Sequence, residues 1–328
     1  MLIANRSGVW SLCAVMLLAH VADVFAQTYP ARTIRLIVPS SPGGTSDFLG
    51  RLLAPKLSEA LGQQIVVENR PGASSMVGAE VVAKAAPDGY TLLISPAALA
   101  INPSMYAKIS FNTQRDLAPI SLLAEAGNVL VVHPSVPARS VKELIALAKR
   151  RPGHLAAATP GLGGSPHMAA ELLKIMAGID VLLVPYKGAS VGVVGLLSGE
   201  VSFMFSTPPT VLGFIKAGRL RALGVSTQRR IQALADVPTL HESALPGYEA
   251  TQWFGLLAPG GTPRPIIDRL YQETARAIRG PEMTDRFALE GLDLVGNKPE
   301  EFAAYIGSEL EKWAKVIKTA GIKPQGGS

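Results

Sequence analysis

The stretch Ile34-Arg-Leu-Ile-Val38, running on as Pro39-Ser-Ser-Pro-Gly-Gly-Thr-Ser-Asp47, decides the fold. Its first five residues are an almost unbroken apolar run, the pattern of a strand covered on both faces. Prolines and glycines then break the run, and from Ser46 to Ala60 the spacing predicts a helix. The same order follows at once: a strand over Gln64–Glu68, a helix from Ser75 to Ala85, a turn at Asp88-Gly89 and a strand over Tyr90–Ser95. Strands alternating with helices predict a mainly parallel sheet with helices on both faces, an α/β chain.

The middle of the chain repeats this grammar. Strands are expected over Val129–Val132, Leu155–Thr159, Val181–Val184, Val201–Phe205 and Leu220–Val225, and helices over Ser140–Arg150 and Ser165–Ala177. Ser140 with Glu143 reads as a capping box. Beyond the strand Thr251–Leu257 the chain turns helical, with Pro263 at a first helical position and a last helix over Pro299–Thr319. No internal repeat of fixed period is visible. The length exceeds that of a usual single domain, so two lobes are expected. No polar linker separates them, which points to lobes joined by crossing strands, near Ile120–Val132 and Ala250–Ala258. The expected division is residues 27–125 with 253–328 in lobe 1 and 126–252 in lobe 2. A ligand then belongs between them, at the carboxyl ends of the strands.

The first residues set the compartment. Arg6 precedes an apolar run from Val9 to Ala19, and Val24-Phe-Ala26 ends the segment with small residues at positions −3 and −1. This is the pattern of a secretory signal peptide over 1–26, cleaved after Ala26, and the run is short for a membrane span. Cys13 is the single cysteine, so the mature chain is expected to have no disulfide and no thiolate chemistry. The net charge of +6 is spread out, and the basic runs Lys149-Arg-Arg151 and Arg229-Arg230 lack interleaved aromatics. Nucleic-acid binding is therefore not expected. The histidines are scattered with no H-x-x-x-H pair, which argues against a metal site, and no cofactor is expected.

Two loops carry the functional argument. Pro39–Asp47 and Thr159-Pro-Gly-Leu-Gly-Gly-Ser-Pro-His167 both follow a strand, hold glycines and open a helix. Glycine lets the backbone approach a ligand, and a helix start offers unpaired N–H groups that favour an anion. Placed in opposite lobes, the two would clamp an acid. The second loop has Pro166 where a dinucleotide fingerprint needs glycine, so nucleotide binding is rejected. Ser165 and His167 suggest, as an alternative, a secreted serine hydrolase, although Gly163-Gly-Ser-Pro-His167 is not a G-x-S-x-G elbow. Lys187 in Pro185-Tyr-Lys-Gly188, and Ser206-Thr207 at another strand end, are further candidates for ligand contact.

Taken together the residues resemble a family. Ile37-Val-Pro39 with Pro42-Gly-Gly44, Val67-Glu-Asn-Arg-Pro-Gly-Ala73, Ala83-Lys-Ala-Ala-Pro-Asp-Gly-Tyr-Thr-Leu92, Val184-Pro-Tyr-Lys-Gly188, Asp236-Val-Pro-Thr239 and Trp253-Phe-Gly-Leu-Leu-Ala-Pro259 stand in the order and spacing of the Bug-type receptors. These are the extracytoplasmic solute-binding proteins of tripartite tricarboxylate transporters. The resemblance spans the whole mature chain. It implies a type II periplasmic-binding-protein fold, two αβ lobes joined by crossing hinge strands, that captures a small carboxylate for uptake or sensing without catalysis.

Carried over position by position, the ligand shell is Ser40, Ser41, Gly43, Gly44, Thr45 and Asp47 from one lobe. Thr159, Gly161, Gly163, Gly164, Ser165 and His167 face them, with Lys187, Ser206 and Thr207 at the margin. The resemblance further implies a periplasmic monomer whose partner is a tripartite membrane permease or a sensor kinase. Many relatives carry an aromatic residue where this chain has Ser40 and an acidic residue where it has Ser206. The hydroxyl in place of an acid at Ser206 disfavours an α-amino acid, and the Ser95-Pro-Ala-Ala-Leu-Ala100 stretch, less polar than in relatives, favours a ligand with an apolar body and one carboxylate.

Overall fold

The computed structural model describes residues 29–319 together with 321, 322, 324 and 326. The expected signal peptide, with Cys13, lies outside the described residues. In chain order the first stretch forms β1 (Ile34–Val38), α1 (Thr45–Leu61), β2 (Ile65–Asn69), α2 (Met76–Ala83), β3 (Thr91–Pro96), α3 (Ala98–Met105), the single turn α4 (Thr113–Asp116) and β4 (Leu117–Gly127). The second stretch forms β5 (Val129–Val132), α5 (Val141–Arg150), β6 (Ala156–Thr159), α6 (Ser165–Ala177), β7 (Leu182–Pro185), α7 (Ala189–Leu197), β8 (Phe203–Ser206), α8 (Pro208–Lys216), β9 (Arg221–Val225) and α9 (Leu240–Ser243). The chain then returns through β10 (Thr251–Pro259), α10 (Arg264–Ile278), α11 (Pro281–Leu289), β11 (Asp293–Leu294) and α12 (Pro299–Thr319).

Two separate sheets result, ordered β11-β4-β10-β3-β1-β2 and β7-β6-β8-β5-β9. The fold is a two-lobed α/β structure. The expectation of mainly parallel sheets holds for β2-β1-β3 and β7-β6-β8. It fails elsewhere, because β10 runs antiparallel to β3 and β4, and β5 runs antiparallel to β8 and β9. Reversed β5 and β10 are the strands the chain enters directly after each crossing between the sheets.

Each sheet is covered on both faces, and this explains the apolar runs. In β5, Val129 and Val131 enter one core while Leu130 and Val132 enter the other. In β1, Leu36 packs with Leu49, Leu53 and Leu57 of α1, while Ile37 packs on the opposite side with Trp253 and Phe302. Successive side chains of a strand point to opposite faces, and burying each such residue contributes roughly 1.5–3 kcal/mol. Gly255 of β10 has no side chain because the Phe302 ring lies where its Cβ would stand, 2.0 Å from the Phe302 Cζ.

The crossing between sheets is tied at Asn128, which is fully buried. Its N–H donates to the Ser226 hydroxyl at 2.7 Å, and its side-chain amide donates to the Ala250 carbonyl at 2.8 Å and the Ser165 hydroxyl at 2.9 Å. The strand leaving the first sheet and the segment returning to it are thus fastened to each other.

Two local expectations are corrected. Ser140 does cap α5 by accepting from the Glu143 N–H, but the Glu143 carboxylate accepts from the Arg139 N–H, one residue before the position a capping box needs. Pro263 is the cap of α10, and the helix begins at Arg264.

Candidate functional site

The carboxyl ends of β1, β3, β6, β7 and β8 converge on one cleft of about 400 Å³ between the two sheets. Four helices begin at its walls: α1 after Gly44, α6 after Gly164, α7 after Gly188 and α8 after Thr207. None of these four starts is capped by a side-chain hydrogen bond. A helix leaves its first N–H groups without an intrahelical partner, and its dipole places about half a positive charge there. Three glycines therefore leave positive helix ends with free N–H groups facing a shared space, whereas α8 opens on Pro208 and Pro209, which carry no N–H, and the Thr210 N–H is taken by the Thr207 carbonyl.

The two glycine loops have the same backbone. Gly43 and Gly163 lie in the left-handed region at φ 81° and 82°, and Gly44 and Gly164 follow with φ/ψ of −82°/165° and −85°/159°. Each loop is braced from behind in the same way. The Gly43 N–H donates to the Asp47 carboxylate at 3.0 Å, and the Gly163 N–H donates to the His167 Nδ1 at 3.2 Å. Asp47 also accepts from the Asn69 amide at 2.9 Å and the Arg51 guanidinium at 3.0 Å. Burial works to raise the Asp47 pKa, but the hydrogen bonds from Arg51, Gly43 and Asn69 outweigh it and hold the carboxyl below its usual value. His167 has no such set of donors. Burial depresses its pKa first, Lys174 adds to this, and Glu171 opposes it.

A third wall comes from Pro71–Ser75. Ala73, Ser74 and Ser75 all adopt positive φ, at 44°, 51° and 76°, a run that L-residues rarely adopt. The Asn102 side chain holds the segment by donating to the Ser74 carbonyl at 2.8 Å.

The two lobes touch around the cleft. The Ser41 hydroxyl donates to the Lys187 carbonyl at 2.8 Å, the Ser190 hydroxyl to the Pro42 carbonyl at 3.1 Å, and the Tyr106 hydroxyl to the Leu162 carbonyl at 3.2 Å. The arrangement is a closed one.

Of the residues singled out by sequence, Ser40, Ser41, Gly44, Thr45, Gly161, Gly164, Lys187, Ser206 and Thr207 line the cleft. Gly43, Asp47, Thr159, Gly163, Ser165 and His167 do not; Gly43 is exposed, the other five are buried, and Asp47 and His167 brace the loops. Ser165 is fully buried, accepting from Asn128 and donating to the Thr251 carbonyl at 3.2 Å. Its hydroxyl is committed to the crossing, and the His167 Nδ1 is committed to Gly163, so the pair has no nucleophile–base geometry. Among the lining residues described, Lys187 is the single charged side chain, and no carboxylate is present. The hydroxyls of Ser40 and Ser206 are buried without a protein partner. Among the described residues no cluster of His, Cys, Asp or Glu is arranged to hold a metal ion.

Sequence reasoning missed Ala73–Ser75, Tyr106, Gln252 and Phe254, which also line the cleft. The first was readable: Pro71-Gly72 follows β2 and precedes a helix, the same grammar as the other two loops.

The comparisons with known proteins agree with this geometry. Residues 49–322 match the model of the tripartite tricarboxylate transporter family receptor. The chain is 39% identical over 290 residues to a UPF0065 protein from the tcbD–tcbE intergenic region of Pseudomonas sp. strain P51, covering 88% of this chain and 86% of that protein. It is 38% identical over 304 residues to BugT of Bordetella pertussis, covering 92% and 93%. Among solved structures it is similar to Rpa4515 of R. palustris with adipate, with 35% identity, a TM-score of 0.88, and 90% of this chain and 100% of that one covered. It is also similar to the periplasmic binding protein BugD, with 30% identity, a TM-score of 0.87 and coverages of 90% and 100%. MatC of Rhodopseudomonas palustris with bound malate gives 29% identity, a TM-score of 0.83 and coverages of 88% and 100%. With residues 49–322 matching its model and relatives 38–39% identical over most of their length, the chain belongs to the tripartite tricarboxylate transporter family of receptors, as a solute-binding protein.

Proposed function

We propose that this receptor captures a small organic carboxylate in the cleft between its lobes, gripping the acid with main-chain N–H groups at the starts of α1 and α6. The observation that supports this most is that two helix starts of identical backbone conformation, both uncapped, line one cleft from opposite sides. An anion accepts from such groups by charge-assisted hydrogen bonds of roughly 1.5–3 kcal/mol each. The absence of an acidic residue among the described lining residues leaves an α-amino group without a counter-ion, which favours an acid with an apolar body. The similar proteins with adipate and malate support a small organic carboxylate as the ligand.

In this reading the chain is exported, cleaved after Ala26, and works as a monomer that delivers its ligand to a tripartite permease or reports it to a sensor kinase. The lobes divide as 27–125 with 253–328 against 126–252, and the hinge falls just inside those bounds, where the chain passes between sheets at Asn128 and Ala250. The test is a thermal-shift screen of the purified mature chain against organic acids, adipate and malate among them, followed by titration calorimetry. A true ligand at a hundredfold its dissociation constant stabilises the fold by about 2.7 kcal/mol. A panel of mono- and dicarboxylates without any such shift would overturn the reading.

A further inference from the structure

The two glycine loops share a backbone but are braced by side chains of different chemistry. Asp47 keeps its charge through the whole physiological range, supported by three donors. His167 accepts the Gly163 N–H at Nδ1, which requires a lone pair there and places the proton of the neutral ring on Nε2, 3.8 Å from the Glu171 carboxylate. We propose that His167 is a proton-sensitive positioning residue: neutral, it holds the second glycine loop in its ligand-ready form; protonated, it releases that loop while the first stays braced.

The physical reason is a donor meeting a donor. A proton added to His167 goes to Nδ1, the atom that now accepts from Gly163, and the bond turns into a clash of two N–H groups. The imidazolium is also 3% exposed in its present place, and a buried charge without close pairing is costly. The charged groups that share its hollow are Glu171 and Lys174 of α6 and Asp180 of the turn before β7. Lys174 is drawn to Glu171 at 3.2 Å, which leaves that carboxylate only partly available to the ring. From the other lobe the hollow receives Met105 and Ile322, which carry no charge. Rotation of His167 toward water relieves the clash and frees Gly163.

Gly163 in turn bears on the other lobe. A Cβ at this glycine would stand 2.3 Å from the Asn102 Oδ1, and the adjacent Leu162 carbonyl takes the Tyr106 hydroxyl. Freeing this loop therefore loosens the contact between lobes on one side only. That this lowers the grip on an acid ligand rests on the function proposed above; the release of the loop does not.

The test needs no ligand. In ¹⁵N-labelled mature chain, titrated from about pH 8 to about pH 4.5, the Gly163 amide resonance should move with the midpoint of the His167 ring carbon. Its exchange with water, corrected for intrinsic rate, should rise about fivefold. The Gly43 amide should stay fixed and serves as the internal control. H167N, which keeps an uncharged acceptor at the Nδ1 position, should leave Gly163 flat across the range. The proposal is overturned if Gly163 stays flat while His167 titrates, if His167 remains neutral throughout, or if Gly43 and Gly163 move together.

Discussion

Thr45 and Thr207 meet hydroxyl to hydroxyl at 2.5 Å, the first residue of α1 against the cap of α8 from the opposite lobe. Neither hydroxyl caps its own helix. The two residues use their polar atoms to join the lobes, and Thr210 stands 3.4 Å from Thr45 as a second partner. Thr207→Val removes this bond at nearly constant shape. A net hydrogen bond is worth ~1 kcal/mol, so affinity for an acid found by the screen should fall about fivefold, with the melting temperature of the free protein little changed. Calorimetric titration of both forms checks this.

The glycines of the two loops should respond differently to the same change. Gly44→Ala places a methyl in ordinary contact with Ser40 and Ser41, at a φ that any residue adopts. It should leave stability nearly intact and weaken acid binding about tenfold by crowding the cleft wall. Gly163→Ala forces an L-residue to φ 82° and against Asn102, and should cost roughly 1–3 kcal/mol in urea unfolding.

Asp47 gives a pH signature. Its carboxyl pKa is lowered in the folded chain, so the folded state binds protons less readily than the unfolded one. The stability it contributes is complete above the ordinary value of 3.8 and is lost as pH falls from there through the lower folded value. Asp47→Asn should therefore be less stable than the parent at neutral pH, and the difference should shrink in acid below that value. Denaturant midpoints measured across the range test this.

Glu309 is buried with two indoles aimed at it: Trp253 Nε1 at 3.1 Å and Trp313 Nε1 at 2.9 Å both donate to one carboxylate oxygen. This fastens β10, which carries the chain back to the first sheet, to α12. Glu309→Leu strands both N–H groups, at about 1–3 kcal/mol each, whereas Glu309→Gln keeps an acceptor. The leucine variant should unfold at clearly lower urea and show altered tryptophan emission before the main transition.

The strands and most helices were legible because burial on both faces writes an apolar run that needs no tertiary knowledge. Val129–Val132, Ser165–Ala177 and Pro299–Thr319 were readable to the residue. The reversed direction of β10 was not, since Thr251–Pro259 is equally apolar in a parallel or antiparallel setting. Nor was the positive φ of Ala73, Ser74 and Ser75, which depends on Asn102 holding the Ser74 carbonyl from 28 residues away. Glycine marked both loops, and Gly44 and Gly164 of each meet the cleft. Sequence could not separate the residues that face the cleft from Asp47 and His167, which stand behind it, because a brace and a contact occupy the same few positions.

Main-chain N–H groups at the starts of α1 and α6 are donors that substitution cannot remove, proline apart. On the proposed reading, a point mutation in either loop can obstruct the acid end of a ligand but cannot abolish the groups that hold it. Divergence toward new compounds must then pass through Ser40, Ala98, Ser206 and Phe254, whose side chains shape the remainder of the space, while recognition of the acid itself is inherited almost unaltered.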